Sequence, residues 1–327
     1  IMAGVYIHIP YCKKACHYCN FHFSTNLKTK SDLVRAINDQ ITIDTFVTDR
    51  HLETIYFGGG TPSLLSADEL YLIMGSILKN FKVHNDAEIT LEANPDDVTK
   101  ENINLWKEIG INRISLGVQS FFDEDLVFMN RAHNSLQSFN AINLLQEADL
   151  KNISIDLIYG SPTTSKEIWV QNIQKAIRLG VPHISSYCLT IEPKTVLAYK
   201  VKKGEIIVED HIANEQFDIL INQLVREGFE HYEISNFARP GYHSKHNTSY
   251  WQNKHYHGFG PGAHAYNGTH RRWNLANNPL YIQAIKMHLP YFEEEPLTLF
   301  DQYNEYIMTR LRTSWGINLA DINQRYL

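Results

Sequence analysis

The chain alternates short apolar runs with longer amphipathic stretches. Val5–Ile9, Thr54–Phe57, Glu88–Glu92, Arg113–Val118, Ser154–Ile158 and His183–Ile191 are rich in β-branched and aromatic residues. Such runs read as strands. The segments between them carry helix signals. Ser66 and Glu69 form a capping box, each satisfying a free backbone N–H of the first turn. Thr99 can cap the next helix, and Gly110 can end it before the fourth strand. Strands alternating with helices predict βαβ units, a parallel sheet and an α/β protein, built as a complete or partial (β/α) barrel of about 200 residues.

Polar residues mark the carboxyl ends of these strands. They are His8, the Gly58–Gly60 run, Glu92 with Asn94, Gln119 with Ser120, Asp156, and Thr190 with Glu192. One polar residue at a strand end means little. The same placement on six successive strands predicts a single shared site, because every βα loop of a parallel barrel opens on that face.

The character changes beyond about residue 230. Histidines and aromatics crowd residues 243–273, among glycines at 258, 260, 262 and 268, and Gln302–Leu311 looks helical. We expect a barrel core over residues 1–235 and a smaller, mainly helical C-terminal domain over 236–327.

Composition is ordinary for a soluble globular chain of 327 residues, with 43% hydrophobic and 20% charged. The net charge of −6 disfavours nucleic acid, which calls for a basic footprint. No apolar run is long enough for a transmembrane segment, and the N-terminus lacks the pattern of a secretory signal. Peripheral association with a membrane stays open.

Four cysteines occur, three of them at Cys12, Cys16 and Cys19. The C-x3-C-x2-C spacing falls on the loop after the first strand. This is no disulfide framework; it reads as a metal site in a reducing, cytoplasmic compartment. Three thiolates can hold one corner of a 4Fe–4S cubane, which needs four cysteines for full protein ligation. The fourth iron is then open to a small chelate. Structural zinc with His8, His17 or His22 as fourth ligand is the alternative, although a second ligand pair is missing. Cys188 reads as a small buried hydrophobe.

With these residues in place, the chain resembles the radical S-adenosylmethionine (SAM) superfamily. YIHIPYC, FGGGTPS, EANP, GVQS and IDLIYG are similar to the branch holding anaerobic coproporphyrinogen III dehydrogenase and its heme-chaperone relatives. The resemblance covers nearly the whole chain. It implies a partial barrel, a 4Fe–4S cluster on Cys12, Cys16 and Cys19, and bound SAM. It carries the SAM-binding role onto Tyr6, Tyr18, Gly59, Gly60, Thr61, Glu92, Gln119, Arg131 and Asp156. Backbone groups at Gly59 and Gly60 are expected to meet the methionine moiety, and the glycine-rich run from Gly258 to Gly262 to lie near adenine.

Two features choose within the branch. The dehydrogenase has a further cysteine two positions after the third; here Phe21 stands there, as in the chaperones. The chaperone motif H-N-x-x-Y-W occurs as His246, Asn247, Thr248, Ser249, Tyr250 and Trp251. The resemblance therefore implies a heme chaperone that binds heme and passes it to target hemoproteins, with coproporphyrinogen oxidase activity absent. The alternative is the dehydrogenase reaction, an oxidative decarboxylation begun by a 5′-deoxyadenosyl radical. His246 is the expected axial ligand, with Tyr250 and Trp251 beside the macrocycle. His243, His255, His257, His264 and His270 are its rivals. Against the family pattern, the C-terminal region is expected to be incomplete at Leu327.

Overall fold

The structure is a computed structural model that describes residues 3–326. All six expected strands are present. They are β1 (Ala3–Ile9), β2 (His51–Gly59), β3 (Lys82–Ala93), β4 (Arg113–Gln119), β5 (Ile153–Tyr159) and β6 (His183–Cys188). Each pairs with the next in parallel register. β6 stops at Cys188 rather than at Ile191. Every residue of β4 is buried, as a parallel strand covered on both faces requires.

The capping box at Ser66 forms, with both reciprocal bonds, and starts the helix Ala67–Asn80. Thr99 caps the helix Lys100–Ile109, and Gly110 ends it in the left-handed region at φ 95°. Glycine takes that conformation without strain.

The sheet extends beyond the six strands on both sides. Past β6 lies an antiparallel pair, β7 (Glu230–Glu233) and β8 (Asn236–Ala238). Past β1 lie β9 (Tyr256–Phe259), β10 (His264–Tyr266), β11 (His270–Asn274) and β12 (Phe292–Pro296). The order is β12-β11-β10-β9-β1-β2-β3-β4-β5-β6-β8-β7, so the sheet is open rather than closed into a ring. It runs without interruption across residues 235 and 236, and one apolar core joins Val5 and Ile7 to Phe259, Tyr281 and Tyr291. Helices still outweigh strands beyond residue 236, with Lys245–Trp251, Asn278–Lys286, Leu299–Arg310 and Leu319–Tyr326.

β9 runs parallel to β1, with Gly4 opposite Tyr256 and Ile7 opposite Phe259. Glycines make this approach, and that of β10 to β9, possible. A Cβ on Gly258 would lie 1.8 Å from the His264 carbonyl oxygen, and one on Gly260 would lie 2.4 Å from that of His8. The glycine-rich run thus serves strand packing, and only Gly262 reaches a cavity wall. Among the described residues, no helix is long and apolar enough to cross a membrane.

Candidate functional site

The cysteine loop leaves β1 and is clamped by backbone bonds. Cys12 N–H donates to the Ser24 carbonyl at 3.0 Å, and Ser24 N–H returns to Pro10 at 2.7 Å. Its far side is tied to the segment after β4. His17 N–H donates to Met129 O at 3.1 Å, and the Asn130 amide donates to Ala15 O at 2.8 Å. The loop is therefore fixed before any metal arrives. Cys12, Cys16 and Cys19 are free thiols, each half-buried.

All three cysteines line one cavity of about 680 Å³ at the carboxyl ends of the strands. Tyr6, Tyr18, Gly59, Gly60, Thr61, Glu92, Gln119, Arg131 and Asp156 line the same cavity. The structure brings together every residue expected at the cluster and at SAM. Among the described residues, no group of three or more His, Cys, Asp or Glu side chains converges on a single metal ion. A cubane takes one thiolate per iron, so its three cysteines surround a corner instead of meeting at a point.

Burial pushes the Cys12 thiol up to about 11 and raises that of Cys19 as well. A bound metal reverses this, because a coordinating thiol is deprotonated outright.

Gly60 is glycine for a steric reason. A Cβ there would meet the Tyr11 backbone oxygen at 2.7 Å and the Cys12 sulfur at 3.0 Å. The N–H groups of Gly59 and Gly60 are already used, however. Gly59 N–H donates to Glu92 at 3.1 Å, and Gly60 N–H donates to the Ile9 carbonyl at 2.9 Å. The backbone groups left to meet a methionine moiety are therefore their carbonyls.

Glu92 also accepts from the Tyr56 hydroxyl at 2.8 Å. Burial raises the pKa of Glu92. Burial, and then the charge of Glu92, push Asp156 up to about 7. Two carboxylates facing one cavity repel each other, and a cationic ligand relieves them both.

Arg131 supplies the opposite charge. Its Nη1 stands 3.3 Å from the Cys16 sulfur, and its Nη2 donates to Asn94 at 2.7 Å and to the Gly117 carbonyl at 2.9 Å. Its Nε is buried with no hydrogen-bond partner among the described residues. The positive charge of Arg131 on this wall suits a carboxylate-bearing ligand. Gln119 holds φ at 66°, in the left-handed region. A residue kept there at a strand end has its side chain re-aimed, and backbone strain of this kind gathers at ligand sites.

Behind the wall, Tyr56 and Gly117 carry no site expectation from the sequence, whereas Asn94 is one of the strand-end residues expected at the shared site. Tyr56 positions Glu92, and Asn94 links Arg131 to Thr61. Gly117 leaves room for Arg131, since a Cβ there would lie 3.0 Å from Nη2. A glycine inside a strand is itself a sign of close approach, and that signal could have found it. Cys188, read from the sequence as buried, is exposed on the cavity wall beside Tyr187. It is the last residue of β6, whose final two positions are exposed.

The motif at 246–251 divides. His246 is 1% exposed. Its Nδ1 is bonded to the Thr54 hydroxyl at 2.7 Å and its Nε2 to the Tyr250 hydroxyl at 2.8 Å. The ring stacks on Tyr56 at 4.9 Å, and burial pushes its pKa down to about 3. The expected axial ligand thus shows neither nitrogen to a cavity, because a buried ring must satisfy both within the fold. Tyr250 does line a second cavity, of about 590 Å³. Trp251 lies away from it, near Arg312. The two cavities share Tyr6, His8 and Phe21 as a common wall.

Comparison with known proteins agrees with this geometry. The profile of the radical SAM superfamily matches residues 6–176. The heme chaperone HemW of Bacillus subtilis is 35% identical over 330 residues, spanning 99% of this chain and 87% of the relative. HemW of Escherichia coli is 36% identical over 265 residues, spanning 80% of this chain and 69% of the relative. Among solved structures, coproporphyrinogen III oxidase (HemN) from Escherichia coli superimposes with a TM-score of 0.87. It is 22% identical, and the match covers 99% of this chain and 79% of that one. That likeness concerns the fold. The chain belongs to the radical SAM superfamily and, within it, to the family of the HemW proteins.

Proposed function

We propose that this chain is a heme chaperone: a radical SAM protein that binds heme and delivers it to target hemoproteins. The observation that carries the reading is kinship. The HemW proteins of Bacillus subtilis and Escherichia coli, named as heme chaperones, share 35–36% identity with it. Phe21 supports the same reading. It sits on the cysteine loop, 70% exposed, at the position where the oxidase-type sequence is expected to carry a further cysteine.

In this reading Cys12, Cys16 and Cys19 hold three irons of a 4Fe–4S cluster and leave the fourth for SAM. Glu92 and Asp156 offer carboxylates to the cationic parts of SAM and to its ribose hydroxyls. Arg131 offers its positive charge to the SAM carboxylate. Gln119 donates and accepts at its strand end, and Tyr6 and Tyr18 pack against the cofactor. Gly59, Gly60 and Thr61 give it room beside the cluster. When bound, the cluster and SAM together supply one-electron chemistry. The cytoplasm suits this assignment, because free thiols that ligate iron need a reducing compartment.

The oxidase reading is favoured only by likeness of fold to HemN. Anaerobic heme titration of cluster-reconstituted protein should give a saturable Soret shift. Coproporphyrinogen III, incubated with SAM and reductant, should be recovered unchanged. Turnover above a cluster-free control overturns the chaperone reading in favour of the enzyme.

A further inference from the structure

Asp156 stands at the end of a line of hydrogen bonds that runs through the interior of the protein. Ser154 is in register with His183, and Asp156 with Ser185, across β5 and β6. Residues two apart on a strand share a face, so all four side chains lie on the same side of the sheet. The Ser154 hydroxyl meets His183 Nδ1 at 2.6 Å and the Ser185 hydroxyl at 3.3 Å. His183 Nε2 meets the Tyr232 hydroxyl at 2.7 Å, and the Ser244 N–H donates to that hydroxyl at 3.3 Å. Ser185 in turn hydrogen-bonds Asp156. Ser154, His183, Ser185 and Tyr232 are all buried.

The direction of this line is set at both ends. Burial, and then the charges of Arg113 and His243, hold the pKa of His183 well below its ordinary value. The ring is therefore neutral, with one donor nitrogen and one acceptor. An ionised Asp156 can only accept, so Ser185 donates to it, Ser154 donates to Ser185, and His183 Nδ1–H donates to Ser154. Nε2 is then the acceptor and takes the Tyr232 proton. The far end agrees. The Ser244 N–H can only donate, which leaves the Tyr232 hydroxyl to donate onward to Nε2. Four donors are thus aligned toward one carboxylate, and bonds in such a series polarise one another.

We propose that Ser154, His183 and Tyr232 are positioning residues for Asp156, whose aligned donors keep its carboxylate charged toward the large cavity. The proposal rests on the assignment of Asp156 to SAM above and adds what holds that group in its binding form. The wall of the large cavity, among the described residues, includes none of these three side chains, so they act through Ser185. Burial and the charge of Glu92 favour the protonated acid; Arg131, the Ser185 bond and Arg113 oppose them. Tyr18, Tyr56 and Tyr187 also face Asp156. The balance lies at about 7, where a modest change in the donors changes the charge.

The test is infrared spectroscopy of the cluster-loaded chain from about pH 5 to pH 9, following the carboxylic acid C=O band that Asp156→Asn abolishes. Ser154→Ala cuts the line midway. Tyr232→Phe keeps the ring that stacks on His243 and frees the His183 tautomer. Both should retain iron and sulfide and titrate Asp156 at higher pH than the parent, Ser154→Ala by about one pH unit. Affinity for SAM, read from the spectrum of the reduced cluster, should then fall about five-fold at pH 7 and return nearly to the parental value at pH 9, where Asp156 is ionised in both. A parental midpoint in a folded Ser154→Ala overturns the inference and leaves Asp156 in the SAM site. So does a loss of affinity that is equal at the two pH values, which marks a packing defect. A raised midpoint with parental SAM affinity throughout upholds the aligned donors and overturns the place of Asp156 in the SAM site. If Ser154→Ala does not fold, Tyr232→Phe decides on the same terms.

Discussion

The Arg131 guanidinium reaches the Cys16 sulfur at 3.3 Å from Nη1, while its Nη2 holds Asn94 and the Gly117 carbonyl. One side chain therefore ties the cysteine loop to β3 and β4 and sets a fixed positive charge against a cluster ligand. Hydrogen bonds to sulfur and nearby charge tune cluster potentials. Arg131→Met should lower the reduction potential by on the order of 50 mV, about 1 kcal/mol for a one-electron couple. A redox titration followed by electron paramagnetic resonance measures this. Lysine should restore only part of the effect, since it keeps the charge and loses the fork. An unchanged potential in Arg131→Met would show that the contact is merely structural.

Asp156→Asn and Gln119→Ala should weaken SAM binding without loss of iron. Removal of one hydrogen bond to a charged group costs about 1.5–3 kcal/mol, or roughly 10- to 100-fold in affinity. The readout is the change SAM causes in the spectrum of the reduced cluster. Parental affinity in both variants would take these two residues out of the site.

Asp156 also makes stability depend on pH in the cluster-free chain. Its folded pKa is about 7 against an ordinary 3.8, because it is buried and faces Glu92. Between those values the folded state binds more proton than the unfolded state. The contribution of Asp156 is therefore complete below pH 4 and declines as pH rises through 7. Asp156→Asn should match the parent at pH 4 and exceed it at pH 8, by at most about 4 kcal/mol. Denaturant melts at the two pH values measure the difference. Equal gains at both would assign the effect to packing.

Reconstituted protein should contain about four iron and four sulfide per chain. Replacing Cys12, Cys16 or Cys19 by Ala should each abolish the brown chromophore. Cys188→Ala should retain it, although Cys188 lines the same cavity. Stoichiometric zinc without sulfide would refute the cluster.

The parallel strands and their capping residues were legible because each signal is local. Ser66 and Glu69 lie three residues apart, and Gly110 directly follows its helix. The cluster site was legible for a related reason: three cysteines on one loop need no fold to bring them together. The rest of that site came from resemblance, and the cavity gathers it. Harder to read were features decided by long-range packing. Whether His246 faces a cavity depends on Thr54, far away in sequence. The use of the Gly59 N–H depends on Glu92, one strand over. The pairing of β9 with β1 leaves no pattern in either segment except glycines whose purpose is the absence of a side chain.

That pairing has a consequence for the order of assembly. β1 carries the cysteine loop, and one edge of β1 is covered by β9, with Gly4 against Tyr256 and Ile7 against Phe259. A ribosome makes β1 before β2 to β8 and β9 only after them. Contacts so distant along the chain form late, at a large cost in loop entropy. Until then the N–H and C=O groups on that edge stand unpaired, a template for pairing with other chains. Iron delivered to the nascent polypeptide would meet a loop hanging from an unfinished strand. Only once the late strand has sealed the early one does that loop hang from a strand paired on both edges.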